Sequence, residues 1–323
     1  MTPYQNNRAS AAFRRHRLSL IALVAIGVYA AFVEYVWGWG MVLGEWRAVG
    51  YGKVGLAIAL LVATYFLRGW RLYDYFPRQT TGRFLELFHL AQVHNILNII
   101  LPFRSGETSF PLLMRAEFGV SLFHGTSALL VMRLLDLHAL LAAGGLGLVL
   151  QQPGRLWAWA LWLLSLVAPI PAYLLKEPVL RRLRPKLGEK LAHILAEIED
   201  GLPPTLAGLI RAWLVTVVNW GVKVLVFAWA LGLMGVTPLA AAFGGALGGE
   251  LSSVLPFHAP AGVGTYPAGI VAGAMALGAP ADKASLDLLG KAAVNMHLII
   301  MISALAGAGL SLVLNEIRKL RYG

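Results

Sequence analysis

The stretch LPFRSGETSFP, from Leu101 to Pro111, places two opposite charges, Arg104 and Glu107, inside a long apolar run. A similar stretch, LPFHAPAGVGTYP, runs from Leu255 to Pro267. It repeats the Leu-Pro-Phe opening, then a titratable residue (His258), then glycines (Gly262, Gly264), then an aromatic residue (Tyr266) before a second proline. Unwound backbone at membrane depth is tolerated only where it faces protein or a polar cavity, so two broken apolar segments in corresponding halves point to a binding site. The pair reads as two re-entrant hairpins, 82–118 and 238–278, broken at Pro102, Pro111, Pro256, Pro260 and Pro267.

Composition agrees with a chain made for lipid. Of 323 residues, 58% are hydrophobic and only 13% charged, and the mean hydropathy is +0.68, far from a soluble domain's balance. The class is an all-α polytopic membrane protein. A formal charge of +11 would fit nucleic acid if it formed one patch, but the basic residues cluster beside apolar spans. With no cysteine, disulfides, thiolate metal sites and a cysteine nucleophile are all excluded. His89, His94 and His297 lack metal-ligand spacing and read as satisfied interior histidines, so no metal or cofactor is expected.

The tail 1–17 carries Arg8, Arg14, Arg15 and Arg17 and no acid. The apolar run 18–37 that follows is about 20 residues long, enough to cross the hydrocarbon core, and no small-residue cleavage site ends it; it reads as a retained span rather than a signal peptide. Further crossings are expected at 54–70, 121–150, 155–175, 205–234 and 286–314, giving six full spans. The hairpin arms are shorter. Residues 105–118 would rise only about 21 Å, so the chain returns to the side it entered from.

Read in this way, 18–150 runs span, span, hairpin, span starting from the inside. Residues 151–315 repeat that order starting from the outside, and 316–323 form a second basic tail. This is the inverted-repeat plan of secondary transporters. Charge placement supports it: 17 of the 27 Lys and Arg residues fall on the side assigned as cytoplasmic, four of them (Arg68, Arg71, Arg78, Arg83) just after the second span. The proposed outer loops hold only Arg47, Lys53, Arg155 and Lys283. Both termini are then cytoplasmic.

Charges inside apolar segments need a reason. Arg104 and Glu107 sit at the first hairpin tip, and Arg133 and Asp136 share one face of the third span at a separation of three. Each costs about 2.5–3.5 kcal/mol at a helix centre, so they should face one another or a wet cavity. Two readings stay open for them: ligands for a polar substrate, or an ion pair that locks the hairpin. In the second half Glu250 and His258 are the better candidates, while Asp287 lies near an outer end and Lys223 with Asn219 can snorkel or pair locally. Asn95, Asn98 and Asn295 are expected to hydrogen-bond between helices.

The run LPFRSGE with Arg115, Gly119 and the RLLD at Arg133–Asp136, followed far downstream by Leu-Pro before a proline- and glycine-rich turn, resembles the lysylphosphatidylglycerol synthase transmembrane-domain family. That family is the flippase-like module of bacterial multiple-peptide-resistance proteins. The resemblance implies a lipid transporter of the bacterial cytoplasmic (inner) membrane, with Arg104, Gly106, Glu107, Arg133 and Asp136 at its motif positions. Two departures stand out. Many members carry an arginine where this chain has Phe110, and an acid where it has Tyr266 and Pro267.

The reading that follows is a flippase-like transporter, not an enzyme, that moves an anionic or phosphate-bearing headgroup between two opposed hairpins. Helix N-termini after Arg104 and after Pro260 would aim partial positive charge at such an anion. Its substrate-binding set is Arg104, Gly106, Glu107, Arg133, Asp136, Glu250, His258, Gly262, Gly264 and Tyr266. Candidate lipids are aminoacyl phospholipids, polyprenyl phosphates and hopanoid-type lipids. The alternatives are an intramembrane lipid-modifying transferase, with paired carboxylates as acid and base, and a non-transporting membrane subunit.

Overall fold

Glycine and proline breaks decide where the helices begin and end. The computed structural model describes residues 24, 26–186, 188–254 and 259–322, with backbone only for 102–104, 183, 184, 194, 197, 321 and 322. The tail 1–17 and the stretch 255–258, which contains Pro256 and His258, lie outside the described residues. Every regular element is helical among the described residues. Helix α1 (Ile26–Val36) turns by 78° into α2 (Trp39–Val49). The turn occurs at Gly38, whose φ of 77° is open to glycine and strained for other residues. Helix α3 (Tyr51–Tyr75) follows directly.

The first hairpin is α4 (Phe84–Ile100), a tight turn over Pro102–Thr108, and α5 (Ser109–Phe118). Helix α6 (Leu122–Leu150) starts at Ser121, whose hydroxyl accepts from the His124 amide. The expected crossing at 155–175 is broken into α7 (Leu156–Val167) and α8 (Pro169–Leu174), neither with a buried residue. Pro169 and Pro171 cannot donate to the preceding turn, and twelve residues rise only about 18 Å. Two polar helices, α9 (Lys176–Leu183) and α10 (Glu189–Gly201), lead to α11 (Leu206–Leu233), capped by the Thr205 hydroxyl on the Gly208 amide.

The second hairpin is α12 (Leu239–Val254), a turn at Pro260–Gly262, and α13 (Thr265–Ala276). The last helix, α14 (Lys283–Tyr322), begins where Asp282 accepts from the Ala284 and Ser285 amides, each at 3.1 Å. By length and apolar composition α3, α6, α11 and α14 are able to cross a membrane, and α1 with α2 makes a fifth if the bent pair counts as one span. Among the described residues four or five such helices stand where the sequence predicts six, and part of the expected first span, 18–23 and 25, lies outside them.

The hairpins are held in different ways. In the second, Gly248 lies against the carbonyl oxygen of Gly269 so closely that no Cβ fits, and the arms pack backbone to backbone, as small residues allow in lipid. The first is anchored at its base by charge. Arg83 and Arg318 both reach Glu86, and Arg83 Nη2 lies 2.6 Å from Glu117 Oε1, tying the hairpin to the far end of α14. The largest buried cluster joins α11, α12, α13 and α14 around Trp220, Phe227, Leu231 and Ile270. Outward-facing residues such as Leu225 and Leu141 are apolar and exposed, as lipid requires. The two tips meet: the Pro260–Gly262 turn packs on α4 and on the Pro102–Thr108 turn.

Candidate functional site

Both outgoing hairpin arms open with a hydroxyl residue, an aromatic residue and a proline: Ser109-Phe110-Pro111 in α5 and Thr265-Tyr266-Pro267 in α13. The prolines occupy the first helical turn, where a backbone N–H has no intrahelical partner to lose. Pro111 and Pro267 therefore start helices instead of breaking them, which corrects the expectation that all five prolines mark breaks. The breaks lie at the turns that begin with Pro102 and Pro260. Phe110 and Tyr266 are buried. Gly106 closes the first tip, where a Cβ would stand 2.5 Å from the Leu97 carbonyl oxygen.

This closure sets Glu107 against α6. Arg133 Nη2 lies 2.9 Å from Glu107 Oε1, and Arg133 Nε and Nη2 donate to Glu107 Oε2 at 3.3 and 3.2 Å. Asn98 Nδ2 donates to Glu107 Oε1 at 3.1 Å, and His94 stands within 3.9 Å of the same carboxylate. Arg133 Nη1 continues to Asp136 Oδ2 at 3.2 Å. Asp136 is 1% exposed, and its main partner is on another helix: Arg71 Nη1 donates to Oδ1 at 2.6 Å and to the Thr216 hydroxyl at 2.8 Å. Trp220 Nε1 donates to the same Oδ1 at 2.9 Å. Five segments are thereby joined: α3, α4, the first tip, α6 and α11.

A second cluster holds the other hairpin. Lys223 Nζ donates to Glu250 Oε2 at 2.7 Å, and the Tyr266 hydroxyl donates to Glu250 Oε1 at 2.8 Å. Glu250 is 0% exposed. The ion pair thus crosses from α11 to α12, which corrects the reading of Lys223 as a snorkelling or locally paired residue. Trp220 stands between the clusters, with Lys223 Nζ 5.0 Å and Arg68 Cζ 5.4 Å from its ring centroid.

A cavity of about 140 Å³ lies among these groups, lined by Arg68, Arg71, Arg133 and Lys223 with Asn95 and Asn98. Glu107, Asp136 and Glu250 already face cations, so the wall is rich in hydrogen-bond donors and carries excess positive charge. Such a donor set suits an oxyanion, for which guanidinium groups supply paired hydrogen bonds.

The expected binding set is therefore divided. Glu107, Arg133, Asp136, Glu250 and Tyr266 belong to the two linked clusters. Gly262, with φ 70°, is buried in the second tip. Gly264, with φ 74°, lines instead an apolar groove with Tyr29, Phe32 and Pro267, away from the charged cavity. The backbone of Arg104 lies in the first tip, and its side chain, like His258, is outside the described residues. Asn98 contacts Glu107, while Asn295 Nδ2 donates across to the Val42 carbonyl at 2.8 Å. His297 Nε2 lies 2.8 Å from the Ala261 carbonyl oxygen, an interior histidine with a partner.

Arg68, Arg71, Thr216 and Trp220 were missed as site residues. The sequence pattern groups Arg68 and Arg71 with the basic stretch that follows the second span, whereas α3 runs unbroken to Tyr75 and Arg71 is 8% exposed. Their spacing of three on a continuing apolar helix was the available signal. Comparison with curated proteins and with solved structures found no match. Residues 19–307 match the lysylphosphatidylglycerol synthase TM region, and this membrane protein belongs to that family.

Proposed function

We propose that the protein is a flippase-like transporter that passes an anionic, phosphate-bearing lipid headgroup across the bacterial cytoplasmic membrane. The observation that carries this reading is the cation-lined cavity between α3, α4, α6 and α11, closed by the end of α12. Hydrocarbon about 30 Å thick separates the leaflets, and a headgroup needs polar donors at mid-depth while its tails stay in lipid. Arms of 17 and 10 residues in the first hairpin, and of 16 and 12 in the second, fit re-entrant segments better than paired crossings. The order of long helix, hairpin, long helix occurs twice, which supports an inverted repeat with both termini cytoplasmic. The substrate is a membrane lipid, and no chemical change to it is part of this reading.

The test uses purified full-length protein in lipid vesicles with no nucleotide present. Labelled phospholipid loaded in one leaflet should appear in the other at a rate proportional to protein, and should be recovered with unchanged mass. A lipid of altered mass would favour the transferase reading. Unaltered lipid that stays in its leaflet would favour a non-transporting subunit.

A further inference from the structure

We infer that Arg68 is the residue that takes the headgroup's phosphate oxygens, and that Trp220 positions it. This rests on the transport reading for its biological setting, but not for its chemistry. Three of the four cations that line the cavity among the described residues have a carboxylate: Arg71 has Asp136, Arg133 has Glu107 and Asp136, and Lys223 has Glu250. Arg68 makes no ion pair among the described residues. It is half-buried on a membrane-crossing helix, where an arginine stays protonated and an unanswered charge is costly.

What holds Arg68 is the face of Trp220, a 2% exposed side chain whose indole N–H is fixed by Asp136. This cation–π contact uses the charge of Arg68 but none of its N–H donors, which stay available to a ligand. One turn further along α3, Arg71 is 8% exposed, and its Nε has no hydrogen-bond partner among the described residues. Both guanidinium groups line one cavity, but Arg71 is engaged by Asp136 and Thr216, so the uncommitted charge there is that of Arg68. A tetrahedral oxyanion can accept from the Arg68 fork, whereas a hydroxyl headgroup of a hopanoid-type lipid would leave the charge of Arg68 unanswered. A phosphodiester and a phosphate monoester share the required chemistry, and the experiment separates them.

The full-length protein, as wild type, Arg68→Gln and Arg68→Lys, is titrated in neutral detergent with phosphatidylglycerol, with a polyprenyl phosphate and with an uncharged polyprenol. Bound lipid and the thermal midpoint are both read. Wild type should bind at least one of the two phosphate lipids at least tenfold more tightly than Arg68→Gln does, with Arg68→Lys in between and the polyprenol indifferent to all three. The stronger arm identifies the source of the phosphate. The midpoint of lipid-free Arg68→Gln should equal or exceed that of wild type, because an unpaired cation has been removed. A lowered midpoint with phosphate-lipid binding unchanged would make Arg68 a structural cation and overturn the inference, as would a wild type that binds neither phosphate lipid. Arg68-dependent binding without leaflet exchange would refute transport and leave the ligand assignment standing. Exchange that persists with unchanged lipid binding in Arg68→Gln would do the reverse.

Discussion

The geometry of Asp136 makes a double-replacement experiment decisive. At 2.6 Å from Arg71 Nη1, its attraction is about 6 kcal/mol at an effective dielectric constant of about 20, before the cost of desolvating both groups. Asp136→Leu leaves Arg71 as a buried lone cation and should destabilise the fold by about 3–5 kcal/mol. Adding Arg71→Met removes that cation. Arg133 still has Glu107, and what remains unsatisfied is chiefly the Trp220 N–H, worth about 1–3 kcal/mol. The second replacement should therefore restore about 2 kcal/mol. The sequence pattern alone, with Arg133 and Asp136 three residues apart, suggests a different rescue: Arg133→Met with Asp136→Leu. The structure predicts failure of that pair, because Arg71 stays unpaired. Unfolding of all variants in one detergent, followed by denaturant or heat, gives the comparison. Equal rescue by both double variants, or rescue by the Arg133 pair alone, would refute the assignment of Asp136 to Arg71.

Gly248→Ala places a methyl against the Gly269 carbonyl and should part the second hairpin's arms, lowering folded yield several-fold as read by size-exclusion chromatography, while Gly264→Ala, with open space around it, should be better tolerated despite its positive φ. Tyr266→Phe removes one donor to Glu250 and should cost about 1.5–3 kcal/mol in the same unfolding assay, leaving the Lys223 pair in place. Single cysteines at Lys186 and Gln151 should react with an impermeant reagent from opposite sides of the membrane; labelling of both from one side would contradict the inverted arrangement.

Composition and the long apolar runs were enough to read a helical membrane protein, and the break at Pro102 was legible because proline and glycine act locally and leave a clear mark. The pairing of Glu107 with Arg133 was also within reach, since charges inside apolar sequence need partners. The long-range partners were not. Arg71 meets Asp136 across 65 residues of chain, and Trp220 reaches it across 84. Nothing in a single sequence distinguishes an arginine just past a span from one drawn into the bundle because the helix continues beyond it. The break at Pro169 was visible in the residues and underweighted, because the apolar run around it was long enough to suggest a crossing.

The most direct test follows lipid movement in vesicles containing wild type or Arg71→Met with Asp136→Leu, a variant that should fold but lack one guanidinium of the cavity wall and its buried carboxylate partner. Movement of an anionic phospholipid between leaflets should be rapid with wild type and fall at least tenfold with the double variant at equal protein content. Wild-type vesicles that behave like empty ones, or a double variant that transports at the wild-type rate, would contradict the claim that this charged cavity carries the headgroup.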